Sequence, residues 1–227
     1  MYGNGNGYKW WWPFKGGHSA RSDDDRAAYR RLALQLHYDL PRPDNSRSVL
    51  LVTPAPSSLC AYGSAVLASC LAEELGGPIL LIDVSPNDPE VSRLLECMPG
   101  RGFVDFLSNP KLPLDDLVLP TTCQNVSFLP AGIVRGGSHP APIEDISALL
   151  KEAESRYEFV VLSGGSVLNY SPSLDLAPHI GCVLLLVVEK ETRVEDLDSA
   201  QEVLGLCKAR KVGLVLTTPA RSERWSF

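Results

Sequence analysis

The stretch Leu50–Leu75, LLVTPAPSSLCAYGSAVLASCLAEEL, decides the fold. An apolar run of strand type meets a break of prolines and small residues, and a long segment of small and apolar residues follows. That order reads as strand, loop, helix. It is also the layout of a phosphate-binding loop. Such a loop uses glycines so that consecutive backbone N–H groups can point at phosphate, a lysine for the outer phosphates and a hydroxyl for Mg²⁺. Here the whole stretch holds no lysine and a single glycine, Gly63.

Working outward, the same alternation continues. SVLLVT, PILLID, NVSFLP, FVVLSG, CVLLLVVE and KVGLVLT are near-continuous apolar runs, as expected of parallel strands buried on both faces. Helical patterns lie between them at Ser64–Leu75, Pro89–Cys97, Ile143–Tyr157 and Val194–Ala209. The predicted fold is α/β, a single doubly wound and mostly parallel sheet flanked by helices. Ligands of such sheets lie beyond the C-terminal strand ends, so the loops after Thr53, Asp83, Ser163 and Thr217 are the candidates. Ahead of the sheet, DDDRAAYRRLALQLHYDL reads as a helix opened by Asp23–Asp25, with Ala28, Leu32, Leu36, Tyr29 and Leu34 marking an apolar side.

At 227 residues the chain suits one large domain, and 44% hydrophobic with 21% charged residues is an ordinary globular balance. A formal net charge of −6 disfavours nucleic acid as partner. The four histidines show no metal-ligand spacing, and the six cysteines form no C-x-x-C pair and read as free core thiols. The longest apolar run, CVLLLVV, is too short to span a bilayer, and no secretory signal is visible. Residues 1–22 are expected to form a flexible Gly/Trp-rich arm, residues 23–220 the domain and 221–227 a short tail. Trp10, Trp11 and Trp12 between Lys9 and Lys15 suit docking on a membrane surface or partner, or folding back onto the domain.

Several stretches taken together resemble the bacterial tyrosine kinases of capsule and exopolysaccharide export, a branch of the MinD/ParA-type P-loop ATPases. AAYRRLALQL resembles the family's first helix, with Tyr29 and Arg30 at its aromatic-arginine pair, and LLIDVSPNDPEVSRLL its second acidic motif. GRGFVDFLSN, VSFLPAGIV, RYEFVVLSGGSVLN, LAPHIGCVLLLVVEKETRVEDL and VGLVLTT follow in the family's order. The resemblance runs from about Ala27 to about Thr218 and implies a P-loop NTPase-like fold.

Measured against that family, the functional positions are altered. Setting SCLA, Ser69–Ala72, against the family's helix places Gly63 at the last loop glycine, Ser64 at the lysine and Ala65 and Val66 at the hydroxyls. In this register the loop runs about three residues longer than the family's. Asp83 keeps the first acid of the second motif, while Ser85 and Asn87 replace the second acid and the arginine. Ser163 stands where an aspartate would organise Mg²⁺, and Thr217 where an asparagine would lie near adenine. Because phosphoryl transfer rests on a cation, a metal and its acidic ligands, these replacements imply a degenerate, pseudokinase-like domain with no catalytic residue and no resident metal or cofactor. The backbone N–H groups and hydroxyls that remain leave room for weak nucleotide binding.

The resemblance implies a non-catalytic adaptor or regulator of polysaccharide synthesis or export. Its place would be the cytoplasm, peripheral at the inner face of the inner membrane. Its partner would be an inner-membrane polysaccharide co-polymerase, with Tyr29 and Arg30 at a partner or homo-oligomer contact. Ala27 and Ala33 replace the glutamate and second arginine used in ring assembly, so a ring of the usual kind is not expected. The rival expectations are an active or nucleotide-binding kinase or ATPase with relocated groups, and a MinD/ParA-like positioning factor.

Overall fold

The computed structural model describes residues 19–40, 46–97, 100–133, 143–169 and 173–217. The Trp10–Trp12 arm and the tail at 221–227 lie outside them. Among the described residues, seven strands form one sheet: β1 (Ser48–Thr53), β2 (Ile79–Asp83), β3 (Leu119–Pro120), β4 (Val126–Leu129), β5 (Phe159–Ser166), β6 (Cys182–Val188) and β7 (Val212–Thr217). Their spatial order is β3-β4-β2-β5-β1-β6-β7, and every pairing is parallel except β3 with β4. The six apolar runs of the sequence are the six parallel strands. The short β3 was not visible as a run, because two exposed residues have no periodicity to read.

Helices cover both faces. On one side lie α1 (Ser19–Asp39), α2 (Leu59–Leu75) and the single turn α3 (Glu90–Leu94), closing over Val49, Leu51, Leu81, Val161 and Leu184. The other side carries α4 (Phe103–Ser108), α5 (Ile143–Arg156), α6 (Ser173–Leu176) and α7 (Val194–Leu206), closing over Leu50, Val52, Leu80, Val160 and Leu185. Neighbours along a strand thus go to opposite cores, which is why these strands are apolar at every position. Each fully buried Leu or Phe contributes about 1.5–3 kcal/mol.

Two helices begin well before the sequence reading, while α3 and α7 end three residues short of it, at Leu94 and Leu206. Helix α1 begins at Ser19 rather than Asp23, since Ala20 and Arg21 favour helix and nothing up to Ser22 breaks it. Its buried face is Ala33 and Leu36, with Tyr29 and Leu32 against them and Leu40 buried just past its end, whereas Ala28 and Leu34 are exposed. Helix α2 begins at Leu59, not Ser64. Pro54 and Pro56 hold the chain out of the helix, and beyond them Leu59 N–H donates to Ser57 Oγ at 3.3 Å to open it. Gly76 in the left-handed region (φ 68°) closes it, donating to Ala72 O.

This start turns Gly63 from a loop residue into a packing device. A Cβ built there would lie 2.6 Å from Tyr29 Oη, so the missing side chain is what lets α1 settle on α2. Gly63→Ala is expected to cost about 1–3 kcal/mol by overpacking. In a Tyr29→Phe background, with the hydroxyl gone, the same change should be neutral or stabilising through helix propensity. Urea midpoints of the four-member cycle check this, and additive effects would place Tyr29 elsewhere.

Candidate functional site

The C-terminal ends of β1, β2 and β5 enclose a cavity of about 280 Å³, at the place where open α/β sheets bind ligands. Pro56 and Ser57 line it from the β1–α2 loop, Ser85 to Asp88 and Glu90 from beyond β2, and Gly164 to Ser166 with Asn169 from the end of β5.

Between Thr53 and Leu59 lie only Pro54 to Ser58, so the loop is short rather than long. Two of its residues are prolines and have no N–H to offer a phosphate. The loop is also tied to β5. Val167 N–H donates to Thr53 O at 2.8 Å, Ser166 Oγ to Pro54 O at 3.0 Å and Thr53 Oγ1 to Gly165 O at 3.3 Å. These bonds hold the loop flat along the end of β5 instead of wrapped around an anion. Gly165, in the left-handed region at φ 67°, makes the turn that brings Ser166 across.

The positions taken from the resemblance scatter around this cavity. Gly63, Ser64 and Ala65 are inside α2, and all three are buried. Ser64 is fully buried, and its Oγ donates to Cys60 O at 2.7 Å, one turn back in its own helix. The register that set Ser64 at a lysine site is therefore corrected: the helix starts earlier than its small residues suggested. Ser163 is also buried, its Oγ 3.6 Å from Cys60 Sγ beneath the start of α2. Thr217 lies at the end of β7, two strands from β1, where its carbonyl accepts from Glu189 N–H at 2.8 Å. Of the positions read against the family, Ser85 and Asn87, both from the second motif, line the cavity.

Asp83 is 1% exposed, and its carboxylate accepts from Ser85 N–H (3.1 Å), Ser92 N–H (3.0 Å) and Ser92 Oγ (2.9 Å). It ties the β2 end to α3. Burial raises its carboxyl above the ordinary value, although these three donors pull the other way. Glu90, half-buried at the cavity, is raised by burial and then by the charge of Asp83. Sequence reasoning missed Glu90, which lies within the second acidic motif's stretch but at none of its functional positions, and missed Thr53, whose role needs a strand more than a hundred residues away.

Among the described residues, no lysine or arginine lines the cavity. Arg93, whose charge is felt at Asp83, pairs with Asp88. Tyr29 and Arg30 are engaged within the chain. The tyrosine is largely buried against Gly63, which raises its hydroxyl, and Arg30 Nε reaches Glu74 Oε1 at 2.6 Å. Among the described residues, no group of three or more His, Cys, Asp and Glu is placed to hold a metal ion, and no helix is long and apolar enough to cross a membrane.

The strand order, the helices on both faces and the loop position define an α/β fold of the P-loop NTPase type. Among solved structures, the chain is similar to the kinase domain of Escherichia coli tyrosine kinase ETK, with a TM-score of 0.77 and 18% identity over 89% of this chain and 79% of that one. It is also similar to the kinase domain of VpsO, with a TM-score of 0.70 and 22% identity over 88% and 98% of the two chains. MinD cell division protein from Aquifex aeolicus follows at a TM-score of 0.57 and 16% identity, covering 75% and 68%. No protein-family model matches, and neither does any curated protein. The fold is that of bacterial tyrosine-kinase domains and MinD-type ATPases.

Proposed function

We propose that this domain is a pseudokinase-like, non-catalytic adaptor or regulator of exopolysaccharide synthesis or export. In this reading it docks at the inner face of the inner membrane on a polysaccharide co-polymerase. One observation supports the loss of catalysis: among the described residues, the cavity beyond the strand ends is lined by Asp88 and Glu90 and by no lysine or arginine. A triphosphate brought there would meet carboxylates in place of the cation and the metal that stabilise phosphoryl transfer. The polysaccharide assignment rests on the collinear sequence resemblance and on the likeness of fold to tyrosine-kinase domains.

Calorimetry with Mg-ATP and Mg-ADP, paired with thermal shift, tests the reading. The expected result is no saturable heat and no change in melting temperature. Magnesium-dependent binding at about 1 µM, roughly −8 kcal/mol, would overturn it and favour an ATPase or kinase with relocated groups. Isolation of membrane proteins that co-purify with the full chain tests the partner, and recovery without any polysaccharide co-polymerase argues against that half.

A further inference from the structure

The two edges of the sheet differ. At one edge β3 is only two residues long, ends in Pro120 and runs antiparallel to its neighbour, so it offers little for another strand to pair with. At the other, β7 pairs with β6 without interruption over six residues from Val212 to Thr217, and it contains no proline, no charged side chain and no bulge. Among the described residues nothing pairs with its outer side. A long, unblunted edge of this kind is what folded proteins ordinarily avoid exposing.

The same residues leave an apolar face open. Val212, Leu214 and Leu216 are 44%, 55% and 69% exposed, on the sheet face shared with Val183 and Leu185. The alternate residue Val215 packs inward against the other core. Backbone polarity follows the same alternation. Lys211 O accepts from Val183 N–H and Thr217 O from Glu189 N–H, so the odd-numbered residues spend their peptide groups on β6. Val212, Leu214 and Leu216 therefore turn their N–H and C=O groups to the free edge.

Charge selects what would fit there. Lys208, Arg210 and Lys211 lead into β7. Around its far end lie Glu189, Glu191, Glu195 and Asp196, which outnumber Lys190 and Arg193. Among the described residues the edge is thus basic at its start and acidic at its finish. A second copy of this edge, laid antiparallel, opposes basic start to acidic finish at both ends. About a two-fold axis at Leu214 it also sets Leu214 against Leu214 and Val212 against Leu216, with every outward N–H and C=O in register for pairing.

We infer that β7 is a self-association edge, through which two copies of this chain join their sheets by antiparallel β7–β7 pairing centred on Leu214. The interface needs neither nucleotide nor the α1 face, and so stands apart from the reading of the cavity.

Sedimentation equilibrium of the full chain over a concentration series, without nucleotide, tests this. The expected result is a monomer–dimer equilibrium. Leu214→Lys places like charges directly opposite each other at the axis and should weaken it by about tenfold or more. At a dilution where both proteins are monomeric its melting temperature should equal that of the parent, since the side chain is already half exposed. A chain that remains monomeric at about 100 µM overturns the inference. So does a dimer indifferent to Leu214→Lys, which would place the contact elsewhere. A monomer that dimerises only once residues 218–227 are removed would make this chain's own C-terminal segment the occupant of the edge, again against the inference.

Discussion

Lysine placed at position 64 is expected to unfold the domain rather than restore a nucleotide site. Aligned by its small residues, the sequence puts Ser64 where a phosphate loop carries its lysine, and in that register Ser64→Lys would supply the missing cation. The structure puts Ser64 at 0% exposure inside α2, its hydroxyl satisfied by Cys60 O. An ammonium group there would have to stay out of water or break the packing that buries Ser64. Burying an unpaired charge in this way costs about 3–5 kcal/mol, a large share of a typical domain's stability. Ser57→Lys is the matching control, because Ser57 lines the cavity and is half-exposed. That variant gives up the Ser57 Oγ bond that opens α2, a cost of about 0.5–2 kcal/mol, and should still be clearly more stable than Ser64→Lys. Urea unfolding of the two variants separates the registers, and a well-folded Ser64→Lys protein that gains ATP binding would falsify the placement of α2.

Why the strands were legible and the site was not is a matter of range. A strand buried on both faces must be apolar at every position, and SVLLVT or CVLLLVV shows this without any knowledge of neighbours. The start of α2 carries no such mark. CAYGSAV suits a loop because it is small and contains glycine, and it suits a helix pressed against another element for the same reasons. What decides between them is Tyr29, whose hydroxyl occupies the space over Gly63 from another helix. The prolines at 54 and 56 were the available local signal, since they remove two N–H groups from any phosphate cradle. The bonds that flatten the loop join Thr53 to Gly165 and Pro54 to Ser166, each pair separated by 112 positions, which no local pattern reveals. Asp83 was legible as a strand-end acid, but its occupied state was not, because Ser92 resembles any other residue at the start of a short helix.

Asp83→Ala is expected to cost about 3 kcal/mol or more while leaving nucleotide binding unchanged. Removing the carboxylate strands two backbone N–H groups and the Ser92 hydroxyl, and a buried donor left without an acceptor costs about 1–3 kcal/mol. Asp83→Asn keeps an acceptor and should lose less, and it also isolates the charge. Burial raises the Asp83 carboxyl above its ordinary 3.8, so the folded chain holds that proton more tightly than the unfolded chain does. The contribution to stability is then full below the ordinary carboxylate range and is lost as pH rises through the raised value. Glu90, raised by burial and by Asp83, slopes the same way, whereas Arg93 lowers the Asp83 shift. Urea unfolding from acid to neutral pH should therefore show a component that falls as pH rises in the parent and flattens in Asp83→Asn, which also relieves Glu90. An acid retained to organise a metal or a water would behave in the opposite way. Its removal would relieve a buried charge, raise stability at neutral pH and abolish ligand binding. The two sets of outcomes share no result, so this residue separates a structural remnant of a phosphate site from a working one.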